Sequence, residues 1–101
     1  MAIFTVVTQS HDVGTLVARG ELDFSSGDLL AAAAATRSGW RTLNIDLRDV
    51  TFIDAGGLRC LLALRESRDV RCVNPSAVVS RLVDLTGTRT RLLGVLAASA
   101  V

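Results

Sequence analysis

Hydrophobic and polar residues alternate in the middle of the chain. Apolar Leu43, Ile45 and Leu47 are interleaved with polar Asn44 and Asp46. A period of two is typical of a strand that buries one face against a core. We therefore predict a central strand here.

A helical pattern follows this strand. Leu58, Leu61 and Leu62 recur at the spacing of one helical face, and Cys60 and Leu64 widen that apolar stripe. The period changes from strand to helix within a few residues. We therefore predict a strand that leads directly into an apolar helix.

The junction between the two elements is the sequence Asp-Ala-Gly-Gly, residues 54–57. A carboxylate just before a helix accepts hydrogen bonds from the unpaired N–H groups of the first turn, so Asp54 is predicted to be the N-cap. Gly56 and Gly57 each cost roughly 1 kcal/mol against alanine inside a helix. In a first turn they are expected to expose backbone and to let another molecule approach closely.

The N-terminal third predicts a hairpin and a helix. A β-branched run at 3–8, a turn signal at 12–14 and a second β-branched run at 15–19 indicate two antiparallel strands. The Ser-x-x-Asp pattern that begins at Ser25 has the form of a capping box, so the first helix is predicted to start there. Ser-Gly at 38–39 is predicted to end it.

The C-terminal third predicts a strand, a helix and a final edge strand. The strand covers 70–73, and Asn74 with the proline after it is expected to open the helix that Gly87 closes. Residues 88–93 are predicted to form the edge strand, and 94–101 a short apolar helix or a terminal tail. The buried face of the helix is expected to consist of Val78, Val79, Leu82 and Val83.

The order of these elements indicates the fold class. Strands alternate with helices after the first hairpin, which is typical of an α/β protein with a mixed sheet and right-handed crossovers. The 101 residues are enough for one hydrophobic core, so residues 1–101 are predicted to form a single domain.

Charge and composition argue against several classes of partner. The formal net charge is +1, which gives no reason to expect nucleic acid or an anionic membrane. All eleven basic residues are arginine, which together with the abundant alanine indicates a compositional bias. The apolar runs at 29–35 and 92–101 are interrupted or shorter than the ~20 residues that span a bilayer. We therefore expect no direct membrane insertion, and because no basic stretch leads into an apolar secretion segment after Met-Ala-Ile-Phe-Thr, we expect a cytoplasmic protein.

No residue pattern predicts a metal, a cofactor or a catalytic nucleophile. Cys60 and Cys72 are the only cysteines, and neither has the spacing of a metal ligand, so both are interpreted as small buried hydrophobes. His11 is predicted to lie in a loop without a partner base.

Two segments resemble the STAS domain, the fold of bacterial anti-sigma factor antagonists. The first is Phe-Ile-Asp, two small residues and Gly-Leu before an apolar helix, at 52–58, and the second is Gly-Glu-Leu-Asp at 20–23. The resemblance extends from the hairpin to the helix near the C-terminus. It implies an α/β STAS fold, a mixed four- to five-stranded sheet packed on one side by about three to four helices.

The resemblance also implies functional residues, and the chain departs from it at one of them. The family motif is roughly Asp-Ser-Ser-Gly-Leu, and its first serine is phosphorylated by a kinase that is itself the anti-sigma factor. Here Ala55 takes the phosphoacceptor position and Gly56 that of the next serine. Neither side chain can act as an oxygen nucleophile.

If the family arrangement applies, Glu21, Asp23 and Asp54 form an acidic cluster at one end of the sheet. Paired carboxylates serve glycosidases and divalent-metal sites. A domain of this size with four percent aromatic residues offers little pocket for either, so helix caps and solvated loop charges are the favoured interpretation, more strongly for Glu21 than for Asp23. No P-loop or Gly-x-Ser-x-Gly motif occurs. A binding protein is therefore predicted, not an enzyme.

The leading hypothesis is an anti-sigma factor antagonist that docks a serine-kinase-type anti-sigma factor through the Asp54–Arg59 surface and releases a sigma factor. Because Ala55 lacks a hydroxyl, binding is expected to be constitutive or to be regulated elsewhere, for example through Thr51 or Ser25. The sequence leaves the oligomeric state open. The predicted partner-binding residues are Glu21, Asp23, Asp54, Ala55, Gly56, Gly57 and Arg59.

Other hypotheses come from the same resemblance. STAS proteins also sit on the ATPase of phospholipid-transport ABC complexes, and their loops often carry the Gly-Gly-Leu found here. A third hypothesis is a signalling scaffold of the stressosome kind, but proteins of that kind usually carry an additional N-terminal domain. Gly56 and Gly57 could hold a nucleotide phosphate through backbone N–H groups, but Asp23 and Asp54 oppose an anion electrostatically.

Overall fold

The computed structural model describes residues 2–8, 12–35, 41–67 and 69–94. Within these ranges four strands and four α-helices follow one another, with a short 3₁₀ turn at Phe24–Ser26 before the first helix. In chain order they are β1 (Ala2–Thr8), β2 (Val13–Leu22), α1 (Gly27–Ala35), β3 (Thr42–Ile53), α2 (Ala55–Ser67), β4 (Val70–Val73), α3 (Ala77–Thr86) and α4 (Arg89–Leu93).

The strands form one mixed sheet in the order β1-β2-β3-β4. β1 and β2 are antiparallel, whereas β2 with β3 and β3 with β4 are parallel. This confirms the predicted hairpin and the predicted mixed α/β sheet. β2 is longer than expected, because Gly14 is a strand residue that pairs with Thr8 and Leu43.

One face of the sheet is buried. Leu43, Ile45 and Leu47 are fully buried in β3, and the intervening Asn44 and Asp46 are partly exposed. The burial pattern of β2 has the same period, so the helices cover one face of the sheet. The predicted central strand is therefore confirmed, and so is the prediction that one of its faces is buried against the core.

The first helix does not start where the Ser-x-x-Asp pattern placed it. The 3₁₀ turn comes first, and α1 begins at Gly27. The backbone N–H of Ser26 donates to the Asp23 carbonyl at 3.0 Å, and the Ser26 hydroxyl donates to the Asp23 carboxylate at 3.2 Å. The prediction of a cap at Ser25 was wrong because Asp23, two residues earlier, takes that role.

The helix after β4 also starts later than predicted. Asn74 has a φ of 52°, a left-handed conformation that belongs to a turn. The Ser80 N–H donates to the Ser76 carbonyl at 2.9 Å, so Ser76 is the N-cap of α3. Gly87 ends the helix with a φ of 70°, as predicted for a left-handed C-cap. Of the predicted buried face Val79 and Val83 are buried, Leu82 is partly buried, and Val78 is exposed.

The segment predicted to be a final edge strand is helix α4. The Leu92 N–H donates to the Thr88 carbonyl at 2.9 Å, and the Leu92 side chain is fully buried. Arg89 binds both carboxylate oxygens of Asp84 at 2.6 and 3.0 Å and the Ser80 carbonyl at 3.1 Å. These contacts hold the first turn of α4 against α3, which a strand of the same residues would not allow.

Some predictions concern residues outside the described ranges. They are the loop position of His11, the helix end at Ser38 and Gly39, and the segment beyond Gly94. No helix in the described part of the chain is long and apolar enough to span a bilayer.

Candidate functional site

Asp54 joins the end of β3 to the beginning of α2. Its Oδ1 accepts a hydrogen bond from the Gly57 N–H at 2.8 Å, and its carbonyl accepts from the Leu58 N–H at 2.9 Å. This is the geometry of an N-cap, so the role predicted for Asp54 is confirmed. The Asp54 N–H donates to the Leu22 carbonyl at 3.2 Å, which ties the start of α2 to the end of β2.

The two glycines of the first helical turn face the chain itself. A Cβ on Gly57 would overlap the Leu22 carbonyl oxygen, and a Cβ on Gly56 would lie 2.9 Å from the Cα of Phe24. Gly57 is buried and Gly56 is partly exposed. The close approach that these glycines permit is therefore made by the segment after β2, which corrects the expectation of bare backbone open to another molecule.

A hydrogen-bonded turn lies next to the glycines. The Ser25 hydroxyl donates to Oδ1 of Asp23 at 2.6 Å, and the buried Ser26 hydroxyl contacts the same oxygen and the Glu21 carbonyl, at 3.2 and 3.1 Å. The bonds from Ser25, and to a smaller extent from Ser26, hold the pKa of the Asp23 carboxyl below its ordinary value. Asp23 thus stabilises the 3₁₀ turn itself, through its bonds with Ser25 and Ser26.

The three predicted acidic residues lie at one end of the sheet but do not form a shared site. The Asp54 carboxylate caps α2 and the Asp23 carboxylate caps the 3₁₀ turn. Glu21 is exposed and lies opposite Phe52 in the pairing of β2 with β3. Within the described residues, no group of three or more acidic, histidine or cysteine side chains is arranged to hold a metal ion. The interpretation of these carboxylates as helix caps is therefore confirmed for Asp23 and Asp54.

An anion at the start of α2 would meet the same carboxylate. The Gly57 N–H is already bound to Asp54, and Gly57 is buried. One of the backbone donors that a phosphate would need is therefore occupied. The geometry does not favour nucleotide binding there.

The exposed face of α2 is a ridge between two grooves. The ridge consists of Ala55, Arg59, Ala63 and Glu66, which are all exposed and recur at helical spacing. A groove of about 310 Å³ separates the ridge from Arg91 of α4. A second groove, of about 550 Å³, separates the ridge from α1. We call this face, from Ala55 to Glu66 with its two grooves, the α2 surface.

The groove between α1 and α2 is the more apolar of the two. Its lining includes Ala31, Cys60, Leu64 and the aromatic ring of Phe24. Phe24 is 82% exposed, the largest exposure among the large hydrophobic residues described. Phe52, at the same end of the sheet as Glu21, is 47% exposed.

Sequence reasoning missed both aromatic residues. Phe24 stands between the acidic end of β2 and two serines, and a lone aromatic residue in such a polar segment has no apolar neighbours in sequence to bury it. That signal was present in the sequence. Phe52 enters the sequence interpretation only as the first residue of the Phe-Ile-Asp motif.

The residues matched by comparison now identify the family. Residues 5–96 match a family model described as "Mlab, STAS domain". The chain belongs to the STAS domain family. The match covers every described element of this STAS domain except the first residues of β1.

Solved structures agree with this assignment. An anti-sigma factor antagonist from Mycobacterium paratuberculosis is 26% identical, with a TM-score of 0.73 over 91% of this chain and 83% of that one. The anti-sigma factor antagonist SpoIIAA in its unphosphorylated form is 17% identical, with a TM-score of 0.71 over 90% of this chain and 86% of that one. These likenesses confirm that the STAS domain has the predicted fold.

A transporter contains a similar domain. The murine anion transporter Slc26a9 matches with 21% identity and a TM-score of 0.65, over 92% of this chain and 18% of that one. At this identity the likeness concerns the fold alone. A comparison with curated protein sequences found no significant match.

Proposed function

We propose that this STAS domain is a non-enzymatic regulatory protein that binds a serine-kinase-type anti-sigma factor and thereby releases a sigma factor. The observation that supports this most directly is the exposed α2 surface, which begins at the family's phosphoacceptor position, Ala55. The structural similarity to anti-sigma factor antagonists, one of them 26% identical, supports the same class of function.

The chemistry of the α2 surface suits a protein partner. Aromatic and arginine side chains are the residue types most often found at the energetic centre of interfaces, and Phe24 and Arg59 are both exposed here. Ala55 and Gly56 between them present little side chain. A partner would therefore contact the exposed Ala55 at the start of α2, with Phe24 and Arg59 as the larger exposed side chains near it.

We further propose that binding is not switched at Ala55. A phosphate at a helix N-terminus adds about −1.5 to −2 charges, and here it would lie directly beside Asp54. SpoIIAA is known in unphosphorylated and phosphorylated forms, whereas Ala55 and Gly56 offer no hydroxyl. Docking by this chain would therefore persist under conditions in which a serine-bearing relative is released.

The test is affinity capture from the lysate of the native host, with Ala55→Glu as the variant that should abolish binding. Glutamate in the first turn of a helix is favourable for stability, so this variant is expected to fold. Ala77→Glu is the matched control, because Ala77 is also an exposed alanine at the first residue of a helix. We expect a small serine-kinase-type protein to be captured by the wild-type chain and by Ala77→Glu, and to be lost with Ala55→Glu.

Incubation of the captured kinase with ATP completes the test. Intact-mass spectrometry should detect one added phosphate on an Ala55→Ser variant and none in the 54–57 peptide of the wild-type chain. Phosphate in the wild-type peptide, or equal capture by both glutamate variants, would contradict the proposal.

A second candidate function is that of an accessory subunit of a phospholipid-transport ABC ATPase. Two observations favour it. The loop is Ala-Gly-Gly-Leu, as in STAS proteins that resemble this one and sit on such ATPases, and the matching family model is described as "Mlab, STAS domain". Capture of an ABC ATPase in place of a kinase would select this function, and Ala55 would then have no regulatory meaning.

A further inference from the structure

The two edges of the sheet are protected to different degrees. β4 is only four residues long and carries an exposed arginine, Arg71. The Leu43 N–H of β3 donates to the Asp69 carbonyl, so the next carbonyl, that of Val70, points away from β3 to the free edge. The Arg65 guanidinium donates to this Val70 carbonyl at 3.0 Å. Short length, charge and an occupied acceptor all protect this edge against strand addition.

The opposite edge, β1, has none of these protections among the residues that the structure describes. It is seven residues long, with the sequence Ala-Ile-Phe-Thr-Val-Val-Thr, which contains no charged residue and no proline. Its register with β2 is unbroken from the Ala2–Gly20 pair to the Thr8–Gly14 pair, so no bulge turns the strand away. Elsewhere in the sheet the register is interrupted, because β2 and β3 are shifted at two places.

One side of β1 is left without a strand in the part of the chain that the structure describes. β1 pairs with β2 alone among the four strands. Alternate N–H and C=O groups of an edge strand point away from the sheet, and another strand can satisfy them as a row. The chemistry of this edge therefore specifies an extended backbone as its partner.

We propose that β1 pairs antiparallel with β1 of a second copy of this chain, so that two four-stranded sheets join into one continuous eight-stranded sheet. Two identical strands related by a twofold axis are self-complementary, because a residue before the axis on one strand meets a residue after it on the other strand, and the same contact repeats across the axis. The axis is perpendicular to the sheet, so the helices of both copies lie on the same side.

A second copy fits this edge in charge as well as in hydrogen bonding. β1 is uncharged, so the two strands meet without like charges facing each other. The net charge of the chain is +1, which leaves little overall repulsion between copies. The pairing involves β1 and not the α2 surface, so it is independent of the proposed function.

The test uses Thr5, the central residue of β1, whose side chain is exposed. When all seven residues of β1 pair, the twofold axis passes through the central residue, so the two copies of Thr5 lie opposite each other, about 5 Å apart at Cβ. Thr5→Lys or Thr5→Glu therefore places two like charges face to face. Each variant alone should stay monomeric, whereas an equimolar mixture of the two should form a heterodimer.

Sedimentation velocity from about 10 µM to about 1 mM measures the outcome, because an interface of one strand pair is expected to be weak. The average mass of the wild-type chain should rise towards twice the monomer mass. Thr90→Lys is the control, since Thr90 is an exposed threonine on α4, and it should behave as the wild type. Circular dichroism checks that the Thr5 variants are folded.

Amide hydrogen exchange on the wild-type chain locates the contact without any substitution. Exchange in the 2–8 segment should slow as the concentration rises, while the exchange of β4 stays constant. The proposal is overturned if the wild-type chain remains monomeric throughout, if Thr5→Lys associates as the wild type does, or if the protection appears elsewhere.

Discussion

Gly57 is the residue at which β2 and α2 come closest. A side chain here would collide with the Leu22 carbonyl oxygen, and the Gly57 N–H is at the same time bound to Asp54. Gly57 therefore does two things at this position. Its N–H donates to the Asp54 carboxylate, and its lack of a Cβ leaves room for the Leu22 carbonyl. Its effect on the site is to bring Phe24 and Asp23 next to the first turn of α2.

Gly57→Ala is expected to destabilise the fold by about 1 to 3 kcal/mol, because the backbone of Leu22 cannot move away without disturbing the sheet. Gly27→Ala is the matched comparison. A Cβ on Gly27 would lie 2.6 Å from the Cys60 sulfur, which is the end of a rotatable side chain, and alanine favours the helix by about 1 kcal/mol. Urea unfolding should rank Gly57→Ala as clearly the more damaging. Equal losses would mean that the Leu22 contact is not rigid.

Helix starts are the elements that position this site. α2 begins at the residue after Asp54, directly at the end of the central strand. The 3₁₀ turn begins at the residue after Asp23, at the end of β2. Because these parallel strands end at the same edge of the sheet, two capped helical turns lie side by side, and the exposed Ala55 and Phe24 follow their caps.

At the element scale we expect Asp54→Ala to cost about 1 kcal/mol of stability, because the Gly57 N–H loses its acceptor. Asp54→Asn should cost much less, since asparagine caps a helix nearly as well as aspartate. Chemical denaturation at neutral pH measures both. If the asparagine variant were as unstable as the alanine variant, the negative charge rather than the hydrogen bond would be the stabilising feature.

At the scale of the whole molecule, the hydrophobic core makes stability depend on pH in the alkaline range. Cys72 lies in β4 and is 4% exposed. Burial raises the pKa of its thiol from 9.0 to about 12, an effect only partly opposed by the nearby Arg65 charge. The folded state therefore favours the protonated thiol, and the unfolded state releases the proton first.

The sign of this linkage predicts a loss of stability at high pH. The contribution is fully present below about pH 9 and decreases as the pH rises from there towards 12, by about 1 kcal/mol at pH 10. The chain has neither lysine nor tyrosine, so few other groups titrate in this range. Urea unfolding at pH 7 and pH 10 should show the loss in the wild-type chain and in Cys60→Ser, but not in Cys72→Val. An unchanged loss in Cys72→Val would assign the effect to another group.

The local sequence correctly predicted those elements whose hydrophobic periodicity and capping residues match the contacts that the element makes in the folded chain. The alternation around Ile45 predicted the central strand, and the apolar stripe that includes Leu61 predicted α2. Each pattern repeats with the period of its element, because only one face of the strand and one face of the helix are buried. The N-cap at Asp54 followed from residue type and position alone. The α/β class followed from the order of these elements.

Local sequence failed where a distant contact decided the outcome. Residues 89–93 form a helix because Arg89 binds α3 and Leu92 enters the core. Asp23 caps the 3₁₀ turn in place of Ser25, and this turn lies against α2, where Gly56 leaves room for Phe24. The polar neighbours of Phe24 were a local signal of its exposure, but burial depends on what surrounds a side chain, so the extent of that exposure is visible only in the structure.

By itself the sequence determined the element order as far as α3, the capped junction after the central strand and the absence of a hydroxyl at Ala55, because these depend on neighbours along the chain. Only the tertiary structure decided which surface is free. It places Gly57 against the Leu22 carbonyl, and it uses the Asp23 and Asp54 carboxylates to cap two different helical turns. Among the described residues it leaves the α2 surface and the edge of β1 uncovered. Such features arise from contacts between segments far apart in sequence, and no local pattern encodes them.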